Sequence, residues 1–115
     1  GLYKTRKPAD FATYKRELAA SMKRPRRWKA FQILVRQLTH AEVESYADQV
    51  KTPTLVVMGT KDPDFKDPSG EARFVVQRLR GEAVLVEGAG HYAMAEYPEI
   101  VNPRVNAFAA GVFGA

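Results

Sequence analysis

Two short apolar runs separated by a helix-length segment constrain the fold of this 115-residue chain more than any other feature. The runs are residues 54–58 (Thr-Leu-Val-Val-Met) and residues 83–86 (Ala-Val-Leu-Val), and glycines follow each of them. Because neither run alternates polar with apolar residues, each is typical of a strand buried on both faces of a parallel sheet. Residues 67–79 lie between them with a helical pattern. The sequence therefore predicts a parallel βαβ unit and an α/β fold.

Helical patterns account for most of the remaining chain, and each has a start signal that can be read from local residue types. The signals are Asp10 before residues 11–22, Pro25 before an apolar stripe over residues 28–38, a Thr39–Glu42 capping box before a helix to residue 48, Asp67 and Pro68 before the helix that Gly81 ends, and Pro103 in a helix from residue 102. The last of these predicts a C-terminal helix after the βαβ unit.

Two strands do not form a stable parallel sheet by themselves. A sheet this apolar needs neighbouring strands and helices on both faces. We therefore expect the chain to be a C-terminal fragment of a larger α/β fold, completed by an N-terminal part that is missing or lies in another chain.

The basic residues are concentrated at one end of the chain. Residues 1–30 carry ten Lys or Arg and two Asp or Glu, a net charge of +8, whereas the remainder carries eight and eleven, a net charge of −3. A basic face can attract nucleic acid, anionic lipid or an acidic partner, and a solvated helical face is the simpler interpretation. No nucleic-acid-binding motif accompanies the charge, so we expect no nucleic-acid partner.

Composition also excludes several classes of function. The chain has no cysteine, which rules out disulfides, thiolate metal sites and a cysteine nucleophile within it. No apolar run approaches the length of about 20 residues that a membrane helix needs. We therefore expect no membrane span and a cytoplasmic location.

Polar residues with catalytic chemistry follow both apolar runs. Asp62 lies four residues after Met58, and His91 lies five residues after Val86. Both residues therefore lie at the same edge of the predicted sheet, and if the two strands are neighbours, the two loops can touch. An Asp that accepts from one imidazole nitrogen leaves the other nitrogen free to take a proton from a nucleophile. Asp64 is the alternative acid in the same loop.

These residues lie in two motifs that resemble the α/β-hydrolase fold family. Residues 53–62 (Pro-Thr-Leu-Val-Val-Met-Gly-Thr-Lys-Asp) resemble the strand and acid loop of that family. Residues 88–91 (Gly-Ala-Gly-His), followed by residues 96–99 (Glu-Tyr-Pro-Glu), resemble the Gly-x-Gly-His and Glu-x-Pro-Glu ending of that family. The resemblance extends over residues 51–113, and the order Asp then His is the order of that family's triad.

The resemblance implies a serine-type hydrolase acting on an ester or a related small apolar substrate. Asp62 would be the triad acid and His91 the general base, without a metal or an organic cofactor. Residues 1–50 would be a helical cap or lid segment, and residues 51–115 the C-terminal part of the hydrolase core. Relatives of the fold also open epoxides, remove halogens and cleave C–C bonds, so the reaction subclass stays open.

The nucleophile that such an enzyme requires is absent from this chain. No Gly-x-Ser-x-Gly elbow is present, and none of the serines at positions 21, 45 and 69 lies in such a motif. We expect the nucleophile on the N-terminal part of the same hydrolase; it would be Ser, with Asp or Cys as alternatives found in relatives. This chain alone is therefore predicted to be inactive.

Aromatic side chains are the candidates for lining a substrate pocket, although packing between the cap and the core is the alternative for the first two. The candidates are Trp28, Phe31, Phe65 and Tyr92.

The other titratable residues are given structural roles. His40 lies inside the capping box and is predicted to be a solvated helix residue; two histidines in such different surroundings predict no metal site. Glu96 and Glu99, on either side of Pro98, are predicted to be helix-terminus charges.

A competing hypothesis is a non-catalytic binding or regulatory module that keeps a hydrolase scaffold and docks through its basic face. The sequence leaves open whether the chain forms a homo-oligomer.

Overall fold

A computed structural model describes residues 1–39 and 41–114, excluding the side chain of Glu42. It combines helices with a two-stranded parallel sheet, which confirms the general α/β prediction. The chain divides into two compact units. The sheet unit comprises Gly1–Lys7 and the chain from Ala47 onward, and the helical unit comprises Pro8–Tyr46. The assignment of residues 1–50 to a cap and 51–115 to a hydrolase core stays a prediction.

The predicted βαβ unit forms the centre of the sheet unit. Strand β1, Leu55–Gly59, pairs in parallel along its whole length with strand β2, Glu82–Val86. Helix α4, Pro68–Leu79, connects the two strands and packs against both. The apolar runs therefore became strands within one residue of the predicted bounds.

The core of the sheet unit lies on one face of this sheet. Side chains alternate along a strand, so Val57, Val84 and Val86 share that face. Helices α5, Ala93–Glu96, and α6, Pro98–Phe113, cover it. Helix α4 packs on the strands as well, and the alternation of side chains leaves the opposite face to it.

The predicted start of α4 is confirmed. Asp67 Oδ1 accepts a hydrogen bond from the Gly70 amide at 2.8 Å, and Pro68 occupies the first helical position. The helix ends at Leu79 as predicted, but the residue that adopts the left-handed conformation after it is Arg80, with φ 54°, and not Gly81. Gly81 is needed for another reason: a Cβ there would lie 2.5 Å from the Thr54 carbonyl oxygen.

The predicted start of the C-terminal helix was wrong. Helix α6 begins at Pro98, four residues earlier, and Pro103 lies inside it. Both prolines suit a first helical turn, and the earlier one begins the helix. Pro103 has no N–H to donate to the Glu99 carbonyl, yet the helix continues to Phe113. The short helix α5 was not predicted.

The helical unit contains its predicted helices with different start signals. Helix α1, Phe11–Met22, has the predicted bounds, but the Asp10 side chain makes no capping hydrogen bond. Helix α2, Arg27–Gln37, begins two residues after Pro25, so proline lies outside its first turn. Arg26 precedes the helix in the left-handed region, with φ 68°, and this turn sets the start of α2.

The third predicted helix is much shorter than expected. Helix α3, Ala41–Glu44, has one turn, and a 3₁₀ turn, Ala47–Gln49, follows after a gap. Thr39 Oγ1 accepts from the Ala41 amide at 3.3 Å. The predicted roles of His40 and of the Glu42 carboxylate lie outside the described residues.

Candidate active site

The loops that follow the two strands lie side by side. We call residues 60–67 the acid loop and residues 87–92 the histidine loop. The Lys61 amide donates to the Ala89 carbonyl at 2.9 Å, which ties the loops together beyond the strands. Gly59 permits this approach, because a Cβ there would lie 2.2 Å from the Gly90 carbonyl oxygen. The close contact of the loops therefore requires a residue without a side chain at position 59.

Asp62 and His91 meet at this edge of the sheet. His91 Nδ1 lies 2.9 Å from Asp62 Oδ2 and 3.2 Å from Asp62 Oδ1. The Asp62 side chain is 5% exposed, while the His91 side chain is 37% exposed. A carboxylate only accepts hydrogen bonds, so the contact places a proton on Nδ1, and in the neutral imidazole Nε2 is then the acceptor nitrogen. The arrangement can hold an imidazole in the tautomer that a general base needs.

Asp64, the alternative acid, approaches the same imidazole nitrogen. Its Oδ2 lies 3.3 Å from His91 Nδ1, and its side chain is 52% exposed. The Asp64 amide donates to Asp62 Oδ1 at 3.0 Å, which helps to hold the buried carboxylate in place. Asp62 is the better partner, because it is closer to Nδ1 and is shielded from water.

The same three groups are the ones in the described part of the chain that could hold a cation. Asp62, Asp64 and His91 each offer one ligand atom, and these atoms lie within 4.8 Å of one another. Carboxylate and imidazole ligands suit several divalent metals. The expectation that the chain has no metal site stays a prediction.

The four aromatic candidates lie in different parts of the molecule. Tyr92 contacts His91 with its ring edge-on, at 5.1 Å between ring centroids. Phe65 lies on the acid loop and is 36% exposed. Trp28 and Phe31 belong to the helical unit, where their rings stack at 5.7 Å. Tyr92 thus lies beside the candidate base, and a substrate-lining role for all four residues stays a prediction.

One cavity of the sheet unit lies away from this pair. It has a volume of about 450 Å³ and lies between α6 and the first residues of both strands, including Leu55 and Glu82. Asp62 and His91 follow the opposite ends of those strands. The cavity is therefore not where a substrate of this pair would bind.

Glu96 was predicted to be a helix-terminus charge, and it is the last residue of α5, but its side chain does not lie at the surface. Its side chain is buried, with 1% exposure, and the described residues that donate hydrogen bonds to its carboxylate do so through main-chain amides. Burial raises the pKa of Glu96, but the hydrogen bonds from the amides of Thr5, Gly90, Arg6 and Lys4 outweigh it and hold the pKa below its usual value. Nothing in the local sequence signals this role, because three of the donors lie about 90 residues earlier.

The residues that Glu96 binds belong to an N-terminal strap, which we define as residues 1–7. The Leu2 carbonyl accepts from the His91 amide at 2.8 Å, and Thr5 Oγ1 donates to the Gly88 carbonyl at 2.5 Å. Arg6 places its guanidinium 4.4 Å from the centre of the Tyr97 ring. The strap therefore packs along the histidine loop.

Comparison of the chain with models of protein families, with curated proteins and with solved structures found no match. Among the described residues, none of the helices is both long and apolar enough to cross a membrane.

Proposed function

We propose that this chain supplies the acid and the base of a hydrolytic triad, with the nucleophile on an N-terminal part of the same α/β-hydrolase or on another chain. The contact between His91 Nδ1 and the buried Asp62 carboxylate carries the proposal. The two motifs that contain these residues support it. The proposal includes a small ester as substrate, no resident cofactor and a cytoplasmic location.

The reaction begins with proton transfer to His91. The nucleophile, a Ser hydroxyl, gives its proton to Nε2 while its oxygen forms a bond to the ester carbonyl carbon. Asp62 stabilises the imidazolium formed in this step through Nδ1–H. Nε2 then returns the proton to the leaving alcohol as the C–O bond breaks. A water molecule repeats the sequence on the acyl-enzyme and releases the acid.

The test is the loss of ester hydrolysis in the intact protein that contains this chain. His91→Ala is expected to lower kcat on a p-nitrophenyl ester by about 1,000-fold or more. Asp62→Asn is expected to lower it by a similar factor, since it supports the wrong tautomer. Asp64→Asn is the matched control and should retain most of the activity. Unchanged turnover of a folded His91→Ala protein would refute the proposal.

A second candidate function rests on the surface of helix α2. Its apolar stripe is exposed, with 54% exposure at Trp28, 45% at Phe31 and 61% at Leu34. At 100° per residue, Lys29 and Arg36 lie on the opposite side of the helix. A basic amphipathic helix of this kind is typical of a segment that lies on an anionic membrane surface. This observation favours the docking module among the non-catalytic alternatives.

Co-sedimentation with lipid vesicles tests the docking function. Phosphatidylserine vesicles should bind the intact protein at low salt, and phosphatidylcholine vesicles should not. A Lys29→Gln, Arg36→Gln double variant should bind less, because each lost cation removes about 1 kcal/mol of attraction to the surface. Binding that stays the same when the salt concentration, the lipid charge and both residues are changed would rule out this function.

A further inference from the structure

Glu96 is an unusual buried charge because no cation pairs with it among the described residues that it contacts. Removing a carboxylate from water costs several kcal/mol unless hydrogen bonds replace those with water. Four main-chain amides do so here. The Gly90 amide donates to Oε1 at 2.7 Å. The amides of Thr5 and Arg6 donate to Oε2 at 2.7 and 3.1 Å. The Lys4 amide donates to both oxygens, at 3.2–3.3 Å. A carboxylate has about four acceptor positions, so this one is saturated.

These hydrogen bonds connect two distant segments at one point. One donor is Gly90, directly before His91, and the other three are in the N-terminal strap. The Leu2 carbonyl of the strap accepts a hydrogen bond from the His91 amide at 2.8 Å. The main chain on both sides of the Gly90–His91 peptide is therefore held through Glu96 and the strap. A Cβ at position 90 would lie 2.1 Å from the Leu2 carbonyl oxygen, so the segments are in close contact.

We propose that Glu96 is a positioning residue that fixes the histidine loop against the strap, so that His91 Nδ1 meets Asp62. The described hydrogen bonds of the Glu96 carboxylate come from main-chain amides, so it acts on His91 through the main chain of Gly90. Its consequence for catalysis rests on the proposed function. Its effect on the contact between His91 and Asp62 does not, and this allows the two proposals to be tested apart.

The charged form of Glu96 is what the site requires. A glutamine at position 96 has the same shape but one acceptor oxygen, and its amide group would point N–H bonds at N–H donors. Glu96→Gln therefore loses either the Gly90 bond or the strap bonds, and the histidine loop moves away from Asp62. Glu87→Gln is the matched control, because Glu87 begins the same loop with an exposed side chain.

The first experiment measures the His91 imidazole in the intact protein by two-dimensional NMR of ¹⁵N-labelled histidine. In the unmodified protein and in Glu87→Gln, the neutral imidazole should be mainly the tautomer protonated at Nδ1. Glu96→Gln should lose the predominance of that tautomer, at temperatures where circular dichroism shows the protein folded. A folded Glu96→Gln protein with an unchanged tautomer ratio would overturn the proposal.

A milder variant covers the case in which Glu96→Gln fails to fold. Thr5→Val keeps the shape of the side chain and all the amides, and removes the hydroxyl donor to the Gly88 carbonyl. It should shift the tautomer ratio in the same direction by a smaller amount. An unchanged ratio in Thr5→Val, with Glu96→Gln unfolded, would count against positioning and leave Glu96 a role in stability alone.

Kinetics then separate this inference from the proposed function. Glu96→Gln should lower kcat on a p-nitrophenyl ester by up to about 100-fold with little change in KM, since misplacement by about 1 Å has effects of that size. Absence of hydrolysis in the unmodified protein, with the tautomer result intact, would refute the triad and retain the positioning role. Full activity of Glu96→Gln would refute positioning and retain the triad.

Discussion

The sheet unit and the helical unit differ in what holds them together. The sheet unit contains the buried apolar side chains of the described residues, among them Val86 at 1% and Val101 at 3% exposure. Helices α1 and α2, both fully described, bury no residue. Helices of 11 or 12 residues are marginal in water without a packed face. The sheet unit thus has a core of its own, and the helical unit exposes the face that would form one.

The largest effect is expected where the acid loop and the histidine loop of the sheet unit meet. Gly59→Ala would place a methyl group 2.2 Å from the Gly90 carbonyl oxygen, so the acid and histidine loops must separate. The substitution should lower the free energy of unfolding by about 3 kcal/mol or more, measured by urea denaturation. Gly111→Ala in α6 is the control, because its Cβ would meet no atom within 4 Å and alanine favours a helix. Equal effects of the two would refute the close packing at Gly59.

The next effect is a dependence of stability on pH that Glu96 gives to the sheet unit. The amides around Glu96 lower its pKa in the folded state, so the unfolded state binds more protons as the solution becomes acidic. The stability from Glu96 is complete above the ordinary glutamate pKa of about 4.3 and is lost as the pH falls through the lower folded value. The free energy of unfolding of the sheet unit should therefore fall in this pH range. NMR signals of the main-chain amides in β1 and β2 would report it.

Glu96→Gln provides the comparison for the pH effect. It should cost about 2 to 4 kcal/mol at pH 7, since hydrogen bonds to a charged group are lost, and it should flatten the acid dependence. The pKa values of the exposed Asp48 and Glu99 are also lowered, by Arg78 for Asp48 and by its own main-chain amide and Arg6 for Glu99. Asp48 and Glu99 contribute to the acid dependence of both proteins. Their contribution therefore cancels when the free energy of unfolding of Glu96→Gln is subtracted from that of the unmodified protein at each pH. An acid dependence unchanged by Glu96→Gln would assign it to those surface groups.

The same contrast explains how far the sequence could predict this molecule. The strands, α4 and the meeting of Asp62 with His91 follow from local signals, because apolar runs specify strands and strand ends specify an edge of the sheet. The Glu96 site depends on main-chain amides, which every residue carries, so no residue type marks them. Pro103 misled the prediction because a rule for the first helical turn applied equally to Pro98.

A smaller effect on stability is expected from helix capping, and each unit offers one aspartate directly before a helix for the comparison. Asp67 Oδ1 caps α4 through the Gly70 amide, whereas Asp10 precedes α1 without such a bond. Asp67→Ala should therefore cost about 1 kcal/mol of stability, and Asp10→Ala much less. Thermal unfolding followed by circular dichroism would measure both. A cost at Asp10 as large as that at Asp67 would mean that the two units use the same capping device.

The smallest effect is expected on the exposed stripe of the helical unit. Leu34 is 61% exposed, so Leu34→Gln removes little buried apolar surface and should change the free energy of unfolding by no more than about 0.5 kcal/mol. The same change at Val101, which is 3% exposed in the sheet unit, would bury an amide and should be severe. If Leu34→Gln proves equally severe, a surface covers the stripe in the intact protein. If it leaves stability unchanged and weakens vesicle binding, the exposed face of α2 serves docking, and the contrast between the two units is one of function as well as packing.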